Sequence, residues 1–152
     1  MEEYMRLALE EAYIAAQKGE VPVGAVLEKN GEILAKAHNL METEKDPTAH
    51  AEILAIRAAS KKLGVTRLAG ANLYVTCEPC SMCSGAIVLA RINKLYIGTA
   101  DPKAGACGSA LDILQNEALN HKVEVHIGLL QEECSRALKD FFAQLRKRGK
   151  RH

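Results

Sequence analysis

Segments with helical and with strand periodicity alternate along the chain, and this alternation constrains the fold more than any other feature. In the second half, the pattern predicts strands at 72–77, 94–99 and 122–127, separated by helices at 80–91 and 110–116. Strands that alternate with helices favour parallel pairing through crossover connections. We therefore expect parallel strands covered by helices.

The first half predicts a helix followed by a hairpin. Apolar residues recur at helical spacing over 2–18, and Gly19 is typical of a helix end. Two aliphatic runs at 21–28 and 32–38 are separated by a turn that contains Asn30-Gly31. Asn-Gly is the strongest short hairpin signal, so these two strands should pair antiparallel.

Two further helices complete the expected architecture. A helical pattern over 49–63 follows Asp46-Pro47-Thr48, which is typical of a helix start, and it ends near Gly64. The last helix carries one apolar face, formed by Cys134, Leu138, Phe141, Phe142 and Leu145. With no repeat or linker in 152 residues, we expect a single domain over 1–152. Its predicted fold is a three-layer α/β/α arrangement around a five-stranded mixed sheet.

The composition indicates a cytoplasmic protein with reduced cysteines. The first residues carry acids and lack the apolar run of a secretory signal or of a membrane span of ~20 residues. Five cysteines are too few for a disulfide scaffold, and a thiol cluster then indicates metal or redox chemistry. Three of them, Cys77, Cys107 and Cys134, are expected to be buried packing thiols.

Basic residues concentrate near the end of the chain, although the formal net charge is only +1. Five of the twenty lysines and arginines lie within 146–151. Such a run is typical either of a solvated terminus or of a contact with RNA phosphates. With no tryptophan and 4% aromatic residues, a broad stacking surface for RNA is excluded.

Two thiols three residues apart form the first part of a candidate metal site. Cys80 and Cys83 share one face of the predicted helix, so both can reach one metal. Alone, this spacing is also typical of a redox dithiol, a structural zinc site or two buried cysteines. Pro79 places Cys80 at the first helical turn, where unpaired N–H groups favour a thiolate.

His50 is the predicted third ligand and Glu52 the predicted proton carrier, while His121 and His126 are weaker ligand candidates. One histidine and two thiolates on zinc leave a position for water, whose pKa falls to ~7. Turnover then needs a carboxylate to move protons. Because residues two apart point to opposite sides of a helix, we expect His50 to lie outside regular helical geometry.

His-Ala-Glu followed by Pro-Cys-x-x-Cys resembles the signature of the zinc nucleobase deaminases. In that signature the histidine and cysteines bind zinc, and hydroxide attacks C4 of cytosine or C6 of adenine. The glutamate acts as general acid and base. The resemblance therefore implies that His50, Cys80 and Cys83 hold zinc and that Glu52 transfers the protons.

Nearly the whole chain is similar to the bacterial tRNA-specific adenosine deaminases. The matching stretches are Gly-Glu-Val-Pro-Val-Gly-Ala-Val at 19–26, Ala-His-Asn at 37–39, Asp-Pro-Thr-Ala-His-Ala-Glu at 46–52, Glu-Pro-Cys-Ser-Met-Cys at 78–83, Ala-Arg-Ile at 90–92, Asp-Pro-Lys-Ala-Gly-Ala-Cys-Gly-Ser at 101–109, Leu-Asn-His at 119–121 and Asp-Phe-Phe at 140–142. The resemblance implies conversion of adenosine to inosine at the wobble position of a tRNA anticodon. It also implies a cytidine deaminase-like fold, one zinc per subunit and a homodimer.

The same resemblance implies contacts with the substrate. Asn39 is expected to hydrogen-bond the target nucleoside, Asp101 to contact the neighbouring ribose, and Val23 to line the base pocket. Independently of the resemblance, Phe141, Phe142 and the basic end are expected to stack on bases and to hold the backbone of an RNA loop, since unpaired RNA can splay its bases outward. Asn39 as a strand-end turn residue, Asp101 as a loop acid and Val23 as ordinary core are the alternatives.

Three other functions compete with this interpretation. Free guanine or cytosine deaminases share the zinc chemistry, and guanine deaminases often carry cysteine at the position of Cys77. A nucleic-acid-binding module with structural zinc would need a fourth protein ligand and no role for Glu52. A thioredoxin-like oxidoreductase would leave His50-Ala51-Glu52 unexplained.

Overall fold

Five strands form one mixed sheet at the centre of the molecule, in a computed structural model that describes residues 1–119 and 121–149. The strands are β1 (Gly24–Lys29), β2 (Glu32–His38), β3 (Asn72–Cys77), β4 (Lys94–Thr99) and β5 (Glu124–Ile127). Their order is β2-β1-β3-β4-β5. Strand β1 pairs antiparallel with β2 and β3, and β3, β4 and β5 run parallel. The predicted hairpin and the predicted mixed sheet are confirmed.

Helices cover both faces of the sheet and complete the three layers. They are α1 (Glu2–Gln17), α2 (Met41–Glu44), α3 (Ala51–Leu63), α4 (Ser81–Leu89) and α5 (Gln131–Lys147). Helices α1 and α5 pack on one face, whereas α3 packs on the other and contacts α4. No helix among the described residues is long and apolar enough to cross a membrane.

The sheet separates two hydrophobic cores, one on each face, because side chains alternate along the central strands. In β3, Leu73 and Val75 are fully buried in the core beneath α3 and α4. Tyr74 lies between them in sequence and points to the opposite face, where it joins the core beneath α1. Successive strand residues point to opposite faces of a sheet, so each strand contributes to both cores.

An aromatic column runs through the core beneath α1. The ring centroids of Tyr4 and Tyr74 are 5.2 Å apart, and those of Tyr74 and Tyr96 are 4.6 Å apart. His126 stacks on Tyr96 at 5.0 Å. Because Tyr74, Tyr96 and His126 are cross-strand partners, the parallel register itself aligns this column.

Helix α1 lies directly on the start of β1. A β-carbon at Gly24 would lie 1.8 Å from the carbonyl oxygen of Ala8. Such an approach leaves room only for glycine, so this residue sets the spacing between helix and sheet.

The predicted helix at 110–116 is absent, which corrects the sequence analysis. This segment consists of turns and one isolated bridge between Cys107 and Asp112. The Asp112 carboxylate accepts a bond from Gln115 N–H at 3.3 Å, and the Asn116 side chain accepts one from Ala118 N–H at 2.8 Å. Short polar side chains that bond the backbone in this way compete with helix formation. The connection from β4 to β5 is therefore irregular.

Several boundaries also differ from the predicted ones. Strand β1 begins at Gly24 and not at residue 21, since Pro22 has no N–H for the ladder. Helices α3 and α4 begin after His50 and Cys80, and α4 ends at Leu89. Strand β5 begins at Glu124, and the short helix α2 was not predicted. Asn120 of the Leu-Asn-His stretch and positions 150 and 151 of the basic run lie outside the described residues.

Candidate active site

His50 immediately precedes helix α3, as the spacing to Glu52 predicts. Its backbone is extended, with φ −77° and ψ 152°, and the helix begins at Ala51. Glu52 lies in the first helical turn and is buried. The change of backbone conformation between residues 50 and 51 lets both side chains reach one cavity.

Cys80 occupies the equivalent position before helix α4. Its backbone is also extended, with φ −76° and ψ −178°, and Cys83 lies in the first turn, fully buried. The Sγ atoms of Cys80 and Cys83 lie 3.6 Å and 3.5 Å from Nδ1 of His50. The starts of two helices thus bring three donor atoms together.

These three side chains fit a tetrahedral metal. Their ligand atoms all lie within 4.8 Å of one another. Zinc with Zn–S of ~2.3 Å and Zn–N of ~2.0 Å would hold its nitrogen and sulfur ligands ~3.5 Å apart, close to the observed separations. One imidazole and two thiols leave a fourth position for water or substrate.

No other group of three potential ligands lies this close together in residues 1–119 and 121–149. Nε2 of His121 instead lies 2.7 Å from the carbonyl oxygen of Ile92. His126 pairs with Glu124 on the edge strand. Neither of the weaker ligand candidates belongs to the cluster.

The electrostatics of the cluster favour negative sulfur. A hydrogen bond from the Cys83 thiol lowers the pKa of Cys80, and the same bond raises the pKa of Cys83. The bond between His50 and Cys80 raises the pKa of the imidazole. The lowered pKa of Cys80 favours a thiolate beside the histidine, and a thiolate is the form of cysteine that binds a metal cation.

Glu52 is the acid beside the cluster and is only 3% exposed. Burial raises the pKa of its carboxyl to about 7. A group with such a pKa takes up and releases protons readily near neutral pH, which suits a general acid and base.

A cavity of about 180 Å³ opens onto the cluster. His50, Glu52 and Cys80 lie in its wall, together with Val23, Asn39 and Asp101. Three of the predicted substrate contacts thus lie around one space. Phe142 does not line this cavity: it projects from α5, 37% exposed, with its ring 5.5 Å from that of Phe141.

The Asn39 side chain also fixes the backbone around it. Its amide nitrogen donates to the Val21 carbonyl at 3.3 Å, and its oxygen accepts from Met41 N–H at 3.2 Å. Asn39 is therefore a turn residue at the end of β2 and, at the same time, part of the cavity wall.

Two buried acids that the sequence analysis did not single out hold loops at the cavity. Glu20 accepts bonds from the N–H groups of Glu42 and Thr43, and thereby positions helix α2 after Asn39. Glu78, 3% exposed, accepts bonds from the segment that begins at Asp101. Both lie within stretches that carry the family resemblance, 19–26 and 78–83, but their hydrogen-bond partners are distant in sequence.

Of the three expected packing thiols, Cys107 and Cys134 are buried, whereas Cys77 is only partly buried and lines the cavity, which corrects the expectation for that residue. Burial raises the pKa of each of these thiols to about 12. At that pKa they are protonated and unreactive, unlike Cys80.

Comparisons with known proteins agree with this geometry. The profile of the MafB19-like deaminases matches residues 1–146. A tRNA-specific adenosine deaminase of Bacillus subtilis (strain 168) is 55% identical over 147 residues, which cover 97% of this chain and 91% of that protein.

Solved structures of related deaminases also match this chain. A structure from studies of A-to-I editing by tRNA:A34 deaminases at the wobble position shares 46% identity and a TM-score of 0.87. The match covers 90% of this chain and 99% of that one. A guanine deaminase from Bacillus subtilis is more distant, with 33% identity and a TM-score of 0.64 over 96% of this chain and 93% of its own.

Proposed function

Since the chain belongs to the tRNA-specific adenosine deaminases, within the MafB19-like deaminase family, we propose that it converts the wobble adenosine of a tRNA anticodon to inosine. The observation that carries this proposal is the placement of buried Glu52 beside the His50, Cys80 and Cys83 cluster. Water and adenosine are consumed, and inosine and ammonia are released.

His50, Cys80 and Cys83 would hold one zinc per subunit. Bound zinc lowers the pKa of water and so supplies hydroxide at neutral pH. Glu52 moves the protons that the reaction requires. Its carboxylate accepts one proton of the water and delivers it to the adenine ring nitrogen as C6 is attacked. It then accepts the proton of the hydroxyl added at C6 and delivers it to the amine, which leaves as ammonia as the C6–N bond breaks.

The cavity suits one base and not a whole nucleotide. Pockets for drug-sized ligands measure ~300–1,000 Å³, whereas this one measures about 180 Å³. The target base therefore enters alone while its ribose and phosphates stay outside, which requires an unpaired and unstacked nucleotide. Val23 would contact the base, Asn39 its nucleoside and Asp101 the neighbouring ribose.

Helix α5 offers the remaining candidate RNA contacts. Phe142 is exposed on α5, and Arg146, Lys147 and Arg148 are exposed at its end. An exposed aromatic ring on this helix and three cations at its end are groups that can stack on a base and contact RNA phosphates.

We also propose that the protein acts in the cytoplasm as a homodimer. Helix α4, which carries Cys83, exposes 76% of Leu89. Single exposed apolar side chains are common on protein surfaces, so the dimer rests on the likeness to the tRNA-specific adenosine deaminases, and Leu89 is the position chosen to test it. Light scattering should give twice the monomer mass, and Leu89→Asp should lower it; a monomeric wild-type protein would contradict the dimer.

The activity is tested with an anticodon stem-loop containing adenosine and, separately, with free adenosine, guanine and cytosine. We expect inosine from the stem-loop and negligible product from the free compounds. Product from a free base alone would overturn the RNA substrate and leave the zinc chemistry in place. A structural-zinc protein without enzymatic activity would give no product from any of the four.

A further inference from the structure

The segment that begins at Asp101 closes around the carboxylate of Glu78. Oε1 of Glu78 accepts the backbone N–H of Asp101 at 3.0 Å and also the hydroxyl of Ser109. Oε2 accepts the N–H groups of Cys107 at 2.9 Å and of Ser109 at 3.2 Å. Four donors from one loop thus converge on one buried acid.

The loop fits so tightly that a side chain in its middle is excluded. A β-carbon at Gly105 would lie 2.3 Å from Cδ of Glu78 and 2.6 Å from the carbonyl oxygen of Asp101. Glycine at this position lets the backbone approach the carboxylate closely. The loop conformation therefore depends on the acid that it surrounds.

The same acid connects this loop to the candidate active site. Glu78 and Asp101 both line the cavity, and Ala104 lies beside them in its wall. The Asp101 side chain accepts bonds from the N–H groups of Lys103 and Ala104, so its orientation follows the local backbone. A shift of the Asp101 backbone would move a side chain that lines the cavity.

We propose that Glu78 is a positioning residue for the deamination reaction, which holds Asp101 against the RNA through the Asp101 N–H bond. This inference rests on the proposed function for its substrate. It adds a residue that acts on the RNA through another residue and without touching zinc or the target base.

The hydrogen-bond pattern predicts what glutamine would do at position 78. Glutamine has one oxygen and one NH₂ group in place of the two carboxylate oxygens. If the NH₂ group takes the place of Oε2, it meets the backbone N–H groups of Cys107 and Ser109, which are donors and cannot accept, so this orientation is unfavourable. If the NH₂ group replaces Oε1, the Ser109 hydroxyl can reverse and accept, so only the Asp101 bond is lost. Glu78→Gln therefore selectively releases Asp101 and keeps Cys107 and Ser109 in place.

The kinetic test compares Glu78→Gln with the matched control Ser109→Ala, which removes only the hydroxyl. For Glu78→Gln we expect KM for the stem-loop to rise about 10-fold, with kcat within about threefold of wild type. Zinc content should stay unchanged, and Ser109→Ala should keep KM within about threefold. Loss of kcat at unchanged KM, or loss of zinc, would overturn the proposal.

A double-mutant cycle tests whether Glu78 acts through Asp101. On an Asp101→Ala background, Glu78→Gln should change KM by less than about twofold, because the group it positions is already absent. Multiplicative effects of the two substitutions would instead show that Glu78 acts on the fold as a whole and would refute the positioning role.

Amide hydrogen exchange gives a readout that does not depend on activity or on the folding of a variant. In zinc-loaded wild-type protein, the Asp101 amide should be protected, and an unprotected amide would overturn the proposal. In Glu78→Gln, protection should fall at Asp101 and persist at Cys107.

Failure of the proposed function is distinguishable from failure of this inference. If the wild type makes no inosine, the proposed function fails, and the KM comparison is made on whichever substrate is converted.

Discussion

Replacing Glu52 by glutamine separates proton transfer from metal binding. The side chain is 3% exposed and lines the cavity, but it is not among the three donor atoms that cluster within 4.8 Å. Glutamine keeps the size of the side chain and removes its ability to accept a proton. Since burial raises the pKa of this carboxyl, a neutral amide suits the site and the fold should be retained.

The expected loss follows from the two proton deliveries assigned to Glu52. General acid and base catalysis contributes ~10²–10⁴-fold to a rate. We therefore expect kcat to fall by at least ~10²-fold, which corresponds to ~3 kcal/mol or more of barrier. The melting temperature should stay within about 3 °C, since no large group is lost from the core.

The assay measures single-turnover inosine formation on the anticodon stem-loop, together with zinc content by mass spectrometry. Glu117→Gln is the matched control, because it makes the same chemical change at an exposed position. A Glu52→Gln protein that binds zinc and stays within about 10-fold of the wild-type rate would refute the mechanism. Loss of zinc would show instead that Glu52 supports the metal.

Three further predictions concern metal, packing and pH. Cys80→Ala should abolish zinc binding, so added zinc should raise the melting temperature of wild type but not that of the variant; retained zinc would mean a different ligand set. Gly24→Ala places a β-carbon 1.8 Å from the Ala8 oxygen, which should cost ~1–3 kcal/mol and lower the melting temperature by roughly 2–10 °C; an unchanged value would contradict the close contact. Hydrogen bonds from the side chain and N–H of Thr48 lower the pKa of Asp46 in the folded protein. These bonds therefore stabilise the folded state above the ordinary carboxyl pKa, and this stabilisation is lost as pH falls through the lowered pKa of Asp46. Urea midpoints of Asp46→Asn should depend less on pH on the acid side than those of wild type, and equal dependence would argue against this contribution.

Much of the fold could be predicted from local sequence patterns. Strands β2, β3 and β4 have the predicted bounds, because their aliphatic runs end at clear turn and loop residues. The cluster of His50, Cys80 and Cys83 could also be predicted, since metal chemistry restricts the usable residue types and their spacing. The position of His50 outside the regular helix also followed from helix geometry.

What could not be predicted depends on contacts between distant residues. Helix α2 has four residues and is positioned by the carboxylate of Glu20, 22 positions before Glu42. The role of Glu78 depends on donors 23 to 31 positions further along, which no periodicity indicates. The segment 110–116 has helical spacing, but the bonds of Asp112 and Asn116 to the nearby backbone favour turns.

The aromatic column provides an intrinsic spectroscopic probe of folding. The chain has no tryptophan, and three of its four tyrosines, Tyr4, Tyr74 and Tyr96, belong to this one stack. Their coupled near-ultraviolet circular dichroism therefore monitors the docking of α1 on the sheet, on the face opposite α3 and α4. A cobalt ion bound by the two thiols would give visible absorption from the other face. Following both signals in one denaturant titration distinguishes a domain that unfolds as one unit from one whose two cores separate.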